Sequence, residues 1–165
     1  MARQARDGEA VDVDSRLPDP GAAGADMEVA PLQLALSNTL DVLEPTRLAV
    51  NAYLAPYELG EGALYKVELV LEETLVNAIR HAFTDGAVHC IDLTVTVDAD
   101  TVALRFEDDG IAFDPRLATE PVRPASIADA SPGGLGLMLV RRAAKFIDHA
   151  RSEGRNRLTI GIARA

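Results

Sequence analysis

"CIDLTVTVDADTVALRFEDDG", residues 90–110, decides the fold. Ile91, Leu93, Val95 and Val97 alternate with Asp92, Thr94 and Thr96; after the short turn DADT, Val102, Leu104 and Phe106 resume the alternation. Successive side chains of a strand point to opposite faces, so each run reads as a strand with one apolar side, and the two runs read as a hairpin. Upstream, "EGALYKVELVLEETLVNAIRHAF" has Leu64, Val67, Leu71, Leu75, Ala78 and Ala82 at spacings of three or four, the stripe of a long amphipathic helix. Before it, "TLDVLEPTRLAVNAYLAPYELG" has helical spacing through Leu43, Arg47, Val50 and Leu54, with Pro45 suited to a first turn. "APLQLALSN" alternates Leu32, Leu34 and Leu36 and reads as the first strand.

Downstream of the hairpin, residues 109–132 have no sustained period and are punctuated by Pro115, Pro121, Pro124 and Pro132; a loop of that length in a compact domain usually serves function. A helix is expected from Gly134 to Phe146 or Ile147, followed by two short strands around "SEGR" in which Leu158, Ile160 and Ile162 face one way. This order lacks the regular alternation of strand and helix that a doubly wound parallel sheet requires. It predicts an α+β two-layer sandwich, with a mostly antiparallel mixed sheet and helices on one face. Residues 1–29 are rich in Pro, Gly, Ala and Asp without apolar period and read as a flexible tail, leaving 30–165 as the domain and about 109–132 as a lid.

The chain has 165 residues, 48% of them hydrophobic, which suffices for one core. A formal charge of −10 would repel a polyanion, so nucleic acid is not an expected partner. One cysteine, Cys90, excludes an internal disulfide and is expected in the core. No apolar run approaches the ~20 residues that span a bilayer, so no membrane association is expected and a cytoplasmic location is.

Three local patterns bear on chemistry. Gly133, Gly134 and Gly136 stand where the last helix begins; a helix start presents free N–H groups and a positive dipole end, and glycine lets a phosphate approach that backbone. The same glycines would also serve as a plain flexible turn. Neither the P-loop nor the dinucleotide fingerprint fits: no Lys-Ser/Thr pair follows at the required spacing, and this helix is the last, not the first. Glu73 and Asn77 are four apart and share a helix face, where an amide oxygen can coordinate magnesium and a carboxylate can take a proton; a solvated polar face is the ordinary alternative. Asp108 has the parity of Val102, Leu104 and Phe106, so a persisting strand points its carboxylate inward, where it needs a donor such as the exocyclic amine of adenine. A strand-closing Asp-Asp-Gly turn is the alternative there.

Taken together and in order, "EETLVNAIRHAF", "EDDGIAFDP" and "GGLGLMLV" resemble the N, G1 and G2 boxes of the histidine-kinase-like ATPases, whose nucleotide domain is the Bergerat fold. Within that superfamily the chain is most similar to bacterial anti-sigma factors of the serine-protein kinase type. The resemblance implies that Glu73 is the general base toward a substrate serine and Asn77 the protein ligand of Mg²⁺. It implies that Asp108 holds the adenine amine with Gly110 beside the base, and that Gly133, Gly134, Leu135, Gly136 and Leu137 wrap the phosphates of ATP. Asn156 takes the place where relatives often carry a pocket threonine, and Arg116 and Arg123 lie in the lid, where they would neutralise the γ-phosphate or remain solvated. Ala112 replaces a glycine common after the D-x-G element, which bears on lid geometry. The implied partners are a sigma factor and a small anti-anti-sigma protein that is phosphorylated on serine, and the implied working unit is a homodimer. Two other readings are a nucleotide-gated binding module without kinase activity and a detached histidine kinase ATPase core. Against the latter, autophosphorylating kinases carry a helical phosphoacceptor domain upstream, and the residues before the first strand include no histidine.

Overall fold

The computed structural model describes residues 30–117 and 134–165; the expected tail, most of the expected lid, Gly133 and Arg123 lie outside them. Strand β1 (Leu32–Ser37) is followed by one 3₁₀ turn, helix α1 (Leu43–Leu54), a second 3₁₀ turn and helix α2 (Glu61–His81). Strands β2 (Cys90–Val97) and β3 (Thr101–Asp108) form the hairpin, and helix α3 (Gly134–Ala143) precedes strands β4 (Phe146–Ser152) and β5 (Arg155–Ala163). The sheet order is β1-β2-β3-β5-β4, and all four pairings among the described residues are antiparallel, with the helices α1, α2 and α3 packed on one face.

Local chemistry sets the connections. In the β2–β3 turn the Asp98 carboxylate accepts the backbone N–H groups of Asp100 at 2.9 Å and Thr101 at 2.7 Å, closing an Asx turn. Between β4 and β5, Glu153 and Gly154 have φ of 51° and 79°, a two-residue loop whose left-handed backbone matches the twist of the flanking strands. Pro45 lies in the first turn of α1, where its missing N–H costs no helix bond.

The core lies between the sheet and the helices. Val50 and Leu54 of α1, Val67, Leu71 and Leu75 of α2, and Val140 of α3 pack on Ile91, Leu93, Leu104, Phe106, Ile160 and Ile162. These strand residues share one parity, so the apolar alternation read in residues 90–110 is the inner face. Each fully buried side chain of this kind contributes about 1.5–3 kcal/mol relative to exposure. The opposite face carries Asp92, Arg105, Glu107, Arg155 and Arg157, joined by exposed ion pairs that add little stability.

Two expectations are corrected. Helix α3 ends at Ala143 and not at Phe146 or Ile147, because the Lys145 N–H donates to the Gly161 carbonyl at 2.7 Å and commits the chain to pairing with β5. Phe146 then lies over its cross-strand partner Gly161, where a Cβ would overlap the ring. Cys90 is exposed, because its parity is that of Asp92 and not that of Ile91. Partial desolvation, with the Asp92 carboxylate nearby, pushes its thiol pKa up, so the sulfur is not an activated nucleophile.

Leu104 is fully buried on the central strand. Leu104→Ala is expected to cost about 2–5 kcal/mol, read as a lowered denaturant midpoint with little change in the slope of the transition.

Candidate functional site

A cavity of about 340 Å³ opens between α2, α3 and the β3-β5-β4 side of the sheet. That volume is in the range of small-molecule sites. Its walls are mostly apolar, from Ala78, Phe106, Met138, Val140, Ile147, Leu158 and Ile160, with Thr74, Asn77, His81, Asp108, His149 and Asn156 as polar groups.

Asp108 ends β3, and its inward parity buries the carboxylate at 9% exposure, as the alternation predicted. Oδ1 accepts the Gly110 N–H at 2.8 Å and the Asn156 amide at 2.9 Å. Among the described residues no hydrogen bond is formed to Oδ2, and Asp108 lines the cavity. Asn156, paired across the sheet with Asp108, also donates to the Ile111 carbonyl at 2.9 Å. Arg151 completes the network, donating to Asn156 Oδ1 at 2.6 Å and to the Gly110 carbonyl at 3.0 Å. The network fixes the amide orientation of Asn156, because its oxygen faces a cation and its nitrogen faces a carboxylate.

Gly110 does not line the cavity. A Cβ there would lie 2.6 Å from the Ala82 carbonyl oxygen and 2.8 Å from Asp108 Oδ1, while the Ile111 N–H donates to that same Ala82 carbonyl at 2.9 Å. The missing side chain therefore lets the chain after β3 close onto the end of α2.

Asn77 lies on the cavity wall, with Thr74, Ala78 and His81 on the same face of α2. Glu73 does not line the cavity. Its carboxylate lies against Gly136 of α3, where a Cβ would overlap Oε2. Of the glycine-rich stretch, Gly134 opens α3, Gly136 is buried beside Glu73, Leu137 lines the cavity, and Leu135 is 48% exposed and does not. The fold thus joins the long helix and the glycine-rich helix at Glu73 and Gly136, which are far apart in sequence.

Arg116 is engaged in the segment that follows β3. It pairs with Asp114 at 2.8 Å and reaches the His149 carbonyl at 3.3 Å, and the Asp114 pKa is lowered to about 2, chiefly by that guanidinium. Arg141 of α3 donates to the Pro115 carbonyl, so β4 and α3 both hold this turn beside the cavity. His89 bridges Asp85 at 2.9 Å and Asp109 at 3.0 Å and stacks on Phe83, tying the α2–β2 loop to the residue after Asp108. Its pKa is raised, foremost by the bond to Asp85, against partial desolvation.

Thr74, His149 and Arg151 are site residues that the sequence reading missed. Arg151 and His149 share inward parity with Ile147 along β4; reading Phe146 and Ile147 as helix hid that signal. Among the described residues no cluster of three or more His, Cys, Asp or Glu could hold a metal, and no helix is long and apolar enough to cross a membrane.

The sequence family described as "Histidine kinase-like ATPase domain" matches residues 36–162. The chain belongs to this family. More particularly, it is 35% identical over 134 residues to the serine/threonine-protein kinase BtrW of Bordetella bronchiseptica, covering 76% of this chain and 94% of that protein. Its fold is similar to the crystal structure of the RsbU and RsbW domains of Rv1364c from Mycobacterium tuberculosis, with a TM-score of 0.59 at 14% identity. The match covers 83% of this chain and 34% of that one, so this chain spans about a third of the longer protein.

Two outcomes test this geometry. Gly110→Ala is expected to destabilise the fold by about 1–3 kcal/mol, measured by chemical denaturation, because the methyl group meets fixed backbone at Ala82. The His89 bridge stabilises the fold fully below the unfolded histidine pKa of about 6.5 and loses that contribution as pH rises through the higher folded value. The melting-temperature gap between wild type and His89→Leu is therefore expected to be larger at pH 6 than at pH 9; an unchanged gap would remove the bridge.

Proposed function

We propose that this chain is an ATP-dependent protein serine kinase that phosphorylates a small anti-anti-sigma protein and, as an anti-sigma factor, holds a sigma factor inactive. The observation that carries the reading is the seat of Glu73. Its carboxylate lies against Gly136 near the start of α3, while Asn77, one turn further along α2, lines the cavity into which Asp108 faces. A purely nucleotide-gated module needs Asp108 and the glycines but has no use for a carboxylate at that place.

In this reading Asp108 Oδ2 accepts a hydrogen bond from the adenine amine, and Asn156 and Arg151 hold the acid in register. The N–H groups at the start of α3, with Gly134 and Gly136, face the phosphates, favoured by the helix dipole. Gly133 extends the same stretch. Glu73 takes the proton of the substrate serine as its oxygen bonds to the γ-phosphorus; the bond from that phosphorus to the β,γ-bridging oxygen breaks, and ADP leaves. The residues present fit Mg²⁺ as a phosphate-bound ion: Asn77 offers an amide oxygen on the cavity wall, its side chain makes no hydrogen bond among the described residues, and a magnesium site of this kind needs few protein ligands. Bound there, the ion would neutralise charge on the transferring phosphoryl group.

The similarity to the kinase BtrW supports protein kinase activity, and the RsbW-like fold is consistent with a regulator of a sigma factor. Phosphorylating the anti-anti-sigma partner would add a dianionic group to its interface and so change which protein this chain holds. A homodimer is part of the proposal, as is residence in the cytoplasm.

ATP with Mg²⁺ is expected to raise the melting temperature, because a ligand that prefers the native state stabilises it by mass action. Glu73→Ala is expected to keep that shift while losing at least about a hundredfold in serine labelling from γ-labelled ATP, the usual scale of a general base. Labelling that survives in the variant would refute the role of Glu73, and no shift with any adenine nucleotide would refute the site.

A further inference from the structure

Three buried side-chain polar atoms among the described residues, on Asn51, Tyr53 and His149, have no hydrogen-bond partner, and of the three residues only His149 lines the cavity. His149 lies on the inner face of β4, its side chain only 10% exposed, and it lines the cavity; its Nε2 is buried and has no hydrogen-bond partner among the described residues. A buried nitrogen without a partner costs free energy, and such groups in native folds mark a missing ligand or water. The other ring nitrogen, Nδ1, faces the Asp114 carboxylate at 3.6 Å, and Asp114 is kept ionised by Arg116. In the tautomer that carries its proton on Nδ1, toward that anion, Nε2 keeps a lone pair and accepts.

The location narrows the ligand group. His149 pairs with Leu158 and Arg151 with Asn156, so His149 is the next inward position along β4 from the network that holds Asp108. Phe113, Pro115, Ile147 and Leu158 supply apolar wall to the same cavity. An acceptor there requires a donor. The oxygens of an ionised triphosphate only accept, whereas the nucleoside carries N–H donors on its base and O–H donors on its ribose.

Resting on the reading of the cavity as an ATP site, we infer that His149 Nε2 accepts a hydrogen bond from an N–H or O–H donor of the nucleoside, which makes His149 a specificity-determining residue. Removing the acceptor lowers affinity only for nucleotides that carry the donor.

The test is calorimetric titration of the full chain and of His149→Leu with the Mg²⁺ complexes of ATP, 2′-deoxy-ATP, 3′-deoxy-ATP and purine riboside triphosphate, which lacks the exocyclic amine. His149→Leu is expected to bind ATP about tenfold more weakly, the upper range for one hydrogen bond. That difference is expected to shrink toward unity for the one analogue that lacks the donor, which tells base from ribose. Equal ATP affinity in the two proteins overturns the inference. So does a loss of the same size for ATP and all three analogues, because that is the behaviour of a packing residue. Should His149→Leu fail to fold, His149→Phe keeps the ring and supplies the same comparison, with His149→Gln expected to retain part of the preference through its amide oxygen. A wild-type chain that binds ATP well while failing these comparisons sinks this inference alone; one that binds no adenine nucleotide sinks the proposed function with it.

Discussion

The structure turns on a carboxylate taken out of water at the end of a central strand. A buried carboxyl group needs hydrogen-bond donors, and among the described residues the fold supplies them to one oxygen of Asp108, through the Gly110 N–H and the Asn156 amide. Satisfying Oδ1 makes burial tolerable. Because β3 lies between β2 and β5, the groups that satisfy the acid come from β5 and from the turn after β3, while Arg151 of β4 orients Asn156 from the sheet edge.

The same sheet separates stability from chemistry along its length. Toward the β2–β3 turn, Val95, Val102 and Ile162 are fully buried apolar side chains under the helices. Toward Asp108 the cavity opens between the helices and the strands. Glu73 and Asn77 are held on α2, a helix 21 residues long anchored in the core by Val67, Val70, Leu71 and Leu75.

The glycines show how one residue type answers different physical needs. Gly136 admits a carboxylate, Gly110 admits the backbone at the end of α2, Gly161 admits the Phe146 ring, and Gly154 supplies a left-handed turn. Only the first belongs to the proposed chemistry. A motif reading groups Gly110 and Gly136 as parts of one nucleotide site; the contacts show that Gly110 works by letting protein meet protein.

Much of this was legible in the sequence because periodicity is local. The alternation in residues 90–110 established the hairpin, its inner face and the inward aim of Asp108, and the spacing of Leu64 to Ala82 established the long helix with Glu73 and Asn77 one turn apart. These follow from the repeat of a strand and of a helix, which each segment carries by itself. What lay beyond the sequence was decided by partners remote in the chain. The end of α3 was set by the Gly161 carbonyl taking the Lys145 N–H, the exposure of Cys90 by which face of β2 the helices cover, and the meeting of Glu73 with Gly136 by helix packing. His149 reached the cavity wall and Arg151 reached Asn156 only when β4 paired with β5, because pairing register, and no property of either residue, decides which groups meet.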